Sequence, residues 1–257
     1  MSENEGTTYT LATRDVSYRT GGSTLLSGAT LTFHPGTITG ILGPSGSGKS
    51  TLLKCLTTIY DPSKGTVTIN GEPVDSDVPG FRRLLGYVPQ DDVIHRSLKV
   101  DQVLQYAARL RLPAETTAEE IENRIATLTS GLGLADRRTH RVRRLSGGQR
   151  KRVNIAVELL ANPAVLVLDE PASGLDPGTE EDLLGLLRRL ADMGKTVLLT
   201  THSMEFLDAL DQIVVLDAGK IAFAGPLDAM LAHFGITHPA DVFKALRQHE
   251  ETGGAEL

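Results

Sequence analysis

The chain has 257 residues, 40% of them hydrophobic and 23% charged, with a net charge of −6. That length suits one large domain or two lobes around a packed core, and the acidic balance excludes a global basic field for nucleic acid. The single cysteine excludes a disulfide framework. Cys55 sits at helical spacing among Leu52, Leu53, Leu56 and Ile59 and reads as a buried apolar thiol.

The opening MSENEGTTYT is acidic and polar, without the basic start and apolar run of a secretory signal. The longest apolar runs, such as AVLVL at 164–168, fall far short of the ~20 residues that span a bilayer. The two ends, 1–8 and 250–257, read as loose. Three β-like runs follow the first of them: TYTLATRDVSYR, TLLSGATLTF and TITGIL. The last feeds directly into GPSGSGKST, and STLLKCLTTIY behind it has helical spacing. TVTIN and LLGYVPQ read as strands.

From Lys99 to about Ala161 the pattern turns helical, with VDQVLQYAARLRL, AEEIENRIATLTSGLGL and QRKRVNIAVELLA. AVLVLDEP is then a continuous apolar run ending in acids, which fits a strand buried on both faces. Further on come a helix (EEDLLGLLRRLADM), the strand KTVLLTTH, a second helix, the strands DQIVVLDA and KIAFAG, and a tail helix, ADVFKALRQHE. Alternation of strand and helix predicts an α/β fold with a mainly parallel sheet. The helical stretch, about 91–161, forms an inserted second lobe within a single 1–257 domain. The remainder, about 1–90 and 162–257, makes the sheet-bearing lobe.

Gly43, Gly48, Lys49 and Ser50 match G-x-x-x-x-G-K-[ST], with a strand before and a helix after. Glycines there let the backbone wrap around phosphates. Lys49 would reach the β- and γ-phosphates, and the Ser50 hydroxyl would bind Mg²⁺. Asp169, at the end of the apolar strand, can hold Mg²⁺ through water, and Glu170 can polarise an attacking water. His202 ends a second strand of the same sheet, at the edge where α/β proteins bind ligands, placing it to contact a γ-phosphate. Gln90 lies just past a third strand, and its side-chain oxygen can join the Mg²⁺ or water shell. Tyr18 could stack on adenine or pack in the core. The run RRTHRVRR, 137–144, reads as a solvated face.

A second anion-binding turn is present. LSGGQRKR, 145–152, is a Ser-Gly-Gly turn opening a helix, with free N–H groups at a positive dipole end. In order along the chain, GPSGSGKST, YVPQDD, LSGGQ, VLVLDEP, SGLD and TTH resemble the motifs of ATP-binding cassette (ABC) ATPase domains, from about Tyr9 to Ala224.

The resemblance implies a P-loop NTPase (RecA-like) core, an N-terminal antiparallel β-subdomain and an inserted α-helical subdomain. It also implies ATP and Mg²⁺ as ligands. Gly43, Pro44, Ser45, Gly46, Ser47, Gly48, Lys49, Ser50 and Thr51 correspond to Walker A, and Asp169 to the Walker B aspartate. Glu170 corresponds to the catalytic glutamate, Gln90 to the Q-loop glutamine, His202 to the switch histidine, Asp176 to the D-loop and Tyr18 to the A-loop aromatic. Ser146, Gly147, Gly148 and Gln149 correspond to the signature motif.

In that family two domains pair head to tail, and the signature of one caps the γ-phosphate held by the other. One chain therefore carries half of each of two sites, and a closed dimer completes both. The expected partners are a second ABC domain and a transmembrane permease domain or subunit. The expected location is the cytoplasmic side of the membrane, held through that permease.

QDDVIHRSLKVDQVLQYAARLRLP, RKRVNIAVELL and AHFGITHPADVF further resemble the G-type (White/pigment-precursor-like) exporters and their bacterial relatives. That likeness implies export of lipophilic compounds. The turn reads LSGGQRKR where that group often has VSGGERKR. The alternatives are a soluble ABC ATPase acting on ribosomes or DNA, and an unrelated P-loop kinase or GTPase. Translation-factor relatives usually carry two cassettes, and DNA-repair relatives are split by a long coiled coil. This chain has one continuous cassette without sustained heptads, and LSGGQ argues against the kinase or GTPase.

Overall fold

The structure is a computed structural model and describes residues 8–74 and 81–251. The ends read as loose lie outside the described residues, apart from Thr8, Glu250 and Glu251. Strands β1 (Leu11–Thr20) and β2 (Ser23–Phe33) form a hairpin across Gly21-Gly22, both at positive φ. Two-residue hairpin turns need that conformation, and glycine adopts it without strain. With β4 (Lys64–Ile69) and β5 (Glu72–Val74) they make an antiparallel sheet in the order β2-β1-β4-β5.

The second sheet is built from β3 (Ile38–Leu42), β6 (Leu85–Val88), β7 (Val165–Leu168), β8 (Thr196–Thr200), β9 (Gln212–Asp217) and β10 (Lys220–Gly225). Its order is β10-β9-β3-β8-β7-β6, and every neighbour pair except β10–β9 is parallel. Strands β3, β7 and β8 are buried at every residue. Their unbroken apolar runs follow from burial on both faces.

Successive strand residues point to opposite faces, and this divides the core in two. Ile41, Val165, Val167, Leu198 and Val214 pack with Phe33 and with Leu52, Leu53 and Leu56 of helix α1 (Lys49–Leu56). Ile38, Leu42, Leu166, Leu168, Val197 and Leu199 face the larger cluster. That cluster draws on α3 (Val100–Arg111), α4 (Ala118–Gly131), α5 (Gly147–Leu159) and α6 (Pro177–Asp192). Helix α2 (Phe81–Leu84) is a single turn, and α7 (Leu227–Phe234) and α8 (Val242–Glu251) close the chain. Cys55 is fully buried, as its spacing predicts.

Two expectations are corrected. The helix after the glycine loop stops at Leu56 rather than running through Tyr60, because Thr58 adopts a left-handed φ of 53° that no helix interior accepts. Between β8 and β9 the expected helix is only a 3₁₀ turn, Leu207–Ala209. The link 201–211 must return along the sheet and cross β3. A helix of that length rises only about 16 Å, less than the roughly 17 Å of strand plus roughly 10 Å of sheet width it must cover. More extended backbone is required, and burial of Leu207 and Leu210 pins it.

Leu187, on α6, is fully buried in the larger cluster. Leu187→Ala should cost about 3 kcal/mol and lower the melting temperature by roughly 6–12 °C in a thermal scan.

Candidate active site

The glycine loop, 43–48, joins the buried end of β3 to α1. Gly46 and Gly48 have φ of 81° and 102°. A Cβ on Gly48 would lie 2.6 Å from the Leu25 carbonyl oxygen, so backbone of β2 packs where a side chain would be. Lys49 opens α1 and is buried. Its Nζ donates to the carbonyls of Gly43 (2.8 Å) and Pro44 (3.0 Å). Burial pulls its pKa below the usual lysine range, against the opposing pull of Glu170 and Asp169.

Asp169 follows β7 and is 4% exposed. Its Oδ1 accepts from the hydroxyls of Thr200 (2.8 Å) and Ser50 (3.2 Å). Burial, together with the Asp169 charge, pushes the Tyr87 pKa upward. Thr200 Oγ1 meanwhile accepts the Glu170 N–H at 2.7 Å. Glu170 itself has a left-handed φ of 44°, a conformation costing about 1–2 kcal/mol for a residue with a Cβ. That turn aims its carboxylate at two partners: Gln90 Nε2 bonds Oε2 at 3.0 Å, and His202 Nε2 lies 2.7 Å from Oε1.

These residues frame a cleft of about 480 Å³ lined by Leu25, Ser45, Gly46, Gly48, Lys49, Ser50, Thr51, Gln90, Glu170 and His202. Four parallel strands deliver them: β3 the glycine loop, β6 Gln90, β7 the acid pair and β8 His202. All lie at the carboxyl edge of the sheet, where the chain leaves the strands.

Three expected site elements lie elsewhere. Tyr18 does not line the cleft; its ring stacks on Tyr60 with centroids 4.8 Å apart and planes 9° from parallel. The apolar residue at the cleft is Leu25, 38% exposed. The Ser146–Gln149 turn lies outside the cleft too. Ser146 Oγ accepts the Gln149 N–H, and Gln149 Oε1 accepts the Ser146 N–H, a reciprocal cap for α5. Gln149 is thereby a helix cap in this chain. A Cβ on Gly148 would strike the Thr179 side chain, so this turn sits against the start of α6. Asp176 caps that helix, accepting from the Thr179 N–H (3.0 Å) and hydroxyl (2.7 Å).

Sequence reasoning gave no role to Thr200, Tyr87, Leu25 or Lys151, although Thr200, Tyr87 and Lys151 stand within the TTH, YVPQDD and LSGGQRKR stretches. Lys151 is 6% exposed and donates to the Gln90 carbonyl at 2.9 Å. The basic run also departs from a purely solvated face, because Arg138 pairs with Asp101 and Glu122.

The profile of the ABC transporter family matches residues 26–173, more than half of the chain. An "ABC transporter ATP-binding/permease protein Rv1747" of Mycobacterium tuberculosis is 43% identical over 236 residues, covering 91% of this chain and 27% of the relative. A "Broad substrate specificity ATP-binding cassette transporter ABCG2" of Bos taurus is 40% identical over 220 residues, 79% of this chain and 33% of the relative. This chain thus spans between a quarter and a third of the length of these curated relatives. Among solved structures, cbiO1 of Clostridium perfringens, described as part of the ABC transporter complex cbiONQ, superposes with a TM-score of 0.78 at 28% identity. The superposition covers 96% of this chain and 95% of that one.

Thr200→Val keeps the shape of the side chain but strands the Glu170 N–H and removes a donor from Asp169. It should cost about 1–3 kcal/mol in denaturant unfolding.

Proposed function

The chain belongs to the ABC transporter family, and from that premise we propose that it is the ATP-hydrolysing motor of a membrane exporter of the G type. One observation carries the reading: a single carboxylate, Glu170, is held between Gln90 and His202 at the mouth of the glycine loop. The glycine loop cradles the phosphates with its N–H groups, and the Lys49 amine exchanges the Gly43 and Pro44 carbonyls for β- and γ-phosphate oxygens. Glu170 orients the attacking water and takes its proton, while His202 contacts the γ-phosphate. Leu25, rather than Tyr18, offers the apolar contact for the purine.

Mg²⁺ fits this donor set, which is all oxygen and already preassembled, with Ser50 Oγ 3.2 Å from Asp169 Oδ1. Ser50, Asp169 and Gln90 would hold it, and when bound it neutralises charge on the phosphates.

Ser146, Gly147 and Gly148 lie outside their own chain's cleft, which supports a role in capping the nucleotide of a second cassette, a copy of this chain or a close relative. Residues 91–161 act as the lobe that carries this turn. Among the described residues no helix is long and apolar enough to cross a membrane. In this reading transport runs through a permease domain or subunit, with the cassette at its cytoplasmic face. The likeness to ABCG2 and to the Mycobacterium tuberculosis ATP-binding/permease protein favours this reading over a ribosome- or DNA-acting ATPase.

Glu170→Gln should lower kcat by about 100-fold or more. Light scattering should then find this variant monomeric alone and dimeric in Mg-ATP, because binding survives while hydrolysis stalls. Adding Ser146→Arg should abolish the dimer. A Glu170→Gln chain that binds ATP yet stays monomeric would rule out pairing with its own copy.

A further inference from the structure

Past Val88, whose carbonyl accepts the Asp169 N–H, the chain leaves the sheet. Among the described residues, no backbone-to-backbone hydrogen bond holds positions 89–94. These positions are instead gripped from one direction, by side chains of α5. Lys151 Nζ donates to the Gln90 carbonyl at 2.9 Å and lies 3.4 Å from the Pro89 carbonyl. Arg150 Nε donates to Asp92 Oδ2 at 3.0 Å, and Asn154 Nδ2 donates to Asp92 Oδ1 at 2.9 Å. Three residues within little more than one turn of helix thus hold three loop residues, Pro89, Gln90 and Asp92.

Both ends of this clamp matter. Gln90, whose carbonyl Lys151 holds, places its side chain on Glu170. Helix α5, which carries Lys151, begins at the Ser146-Gly147-Gly148 turn. Lys151 is 94% enclosed by its 6% exposure. A buried ammonium that loses its partners is costly, so the helix and the loop cannot separate without exposing or stranding that charge. The Asp92 carboxylate, 16% exposed, adds an ion pair that is partly shielded from water.

We infer that Lys151 is a positioning residue that makes the pose of Gln90 in one nucleotide site and the pose of the signature turn, offered to the other site, a single degree of freedom. The inference rests on the ATPase reading above for its functional meaning, but the clamp is testable without nucleotide. When Gln90 is drawn toward bound nucleotide, its carbonyl pulls on Lys151, and α5 follows as one body with the loop. Lys151 touches neither nucleotide nor water in this scheme. Its loss therefore separates binding from turnover.

The test compares wild type with Lys151→Met, which keeps the length and removes the donors, and with Lys151→Arg, which restores a cation. Hydrogen–deuterium exchange of the nucleotide-free proteins should show peptides spanning 150–156, at the start of α5 where the N–H groups are hydrogen-bonded, exchanging about ten-fold faster in Lys151→Met, with partial recovery in Lys151→Arg. In the same proteins ATP Kd should change less than about three-fold while kcat falls about ten-fold or more. Unchanged exchange would overturn the clamp whatever the activity. Faster exchange with kcat within about two-fold of wild type would overturn the positioning role. A wild-type chain that neither binds nor hydrolyses ATP would instead overturn the ATPase reading, leaving the exchange result to judge the clamp. Should Lys151→Met fail to fold, Asp92→Asn releases the neighbouring grip and is expected to give the same direction in both readouts; no change in either refutes the proposal.

Discussion

The position of one buried carboxylate, Asp169, governs the site. A carboxyl group with 4% exposure needs hydrogen-bond donors in place of its lost water. Ser50 and Thr200 supply them from α1 and β8, so the acid ties both elements to the end of β7 across the sheet edge. Thr200 is economical: the same oxygen that donates to Asp169 accepts the Glu170 N–H, which sets the strained turn at Glu170. Displacing any of these elements would move both acids at once.

Charge balance around this edge is equally constrained. Asp169 and Glu170 are adjacent, and the cations nearest them, Lys49 and Lys151, come from the two faces of the sheet. Burial lowers the pKa of both lysines, while the acids pull the other way. Each ammonium donates to backbone carbonyls rather than forming a direct ion pair with the acids. Lys49 lines the cleft, whereas Lys151 lies beneath the Gln90 loop.

The signature turn and the start of α6 show structural and functional demands placed on the same atoms. Ser146 with Gln149, and Asp176 with Thr179, close helix ends that would otherwise leave N–H groups bare. Gly148 is obligatory for packing, since a Cβ there meets Thr179. Ser146 and Gly147, by contrast, stay exposed at this helix start.

Much was determined by the sequence alone. The glycine loop, the apolar strand ending in Asp169-Glu170 and the strand ending in His202 are local patterns, because a parallel strand buried on both faces must be apolar and its functional residues must sit where it ends. The alternation of elements likewise made an α/β fold with a mainly parallel sheet legible from the residues. Tertiary structure alone decided the rest. That the Tyr18 ring stacks on Tyr60, forty-two positions on, is set by packing. The length of a return path, invisible to periodicity, unwound the expected helix before β9. Lys151 reads as one cation in a basic run until α5 is laid against the Gln90 loop. Sequence patterns report the period of a strand or helix and the chemistry of its ends, whereas contacts between residues some sixty positions apart arise only once the elements are packed.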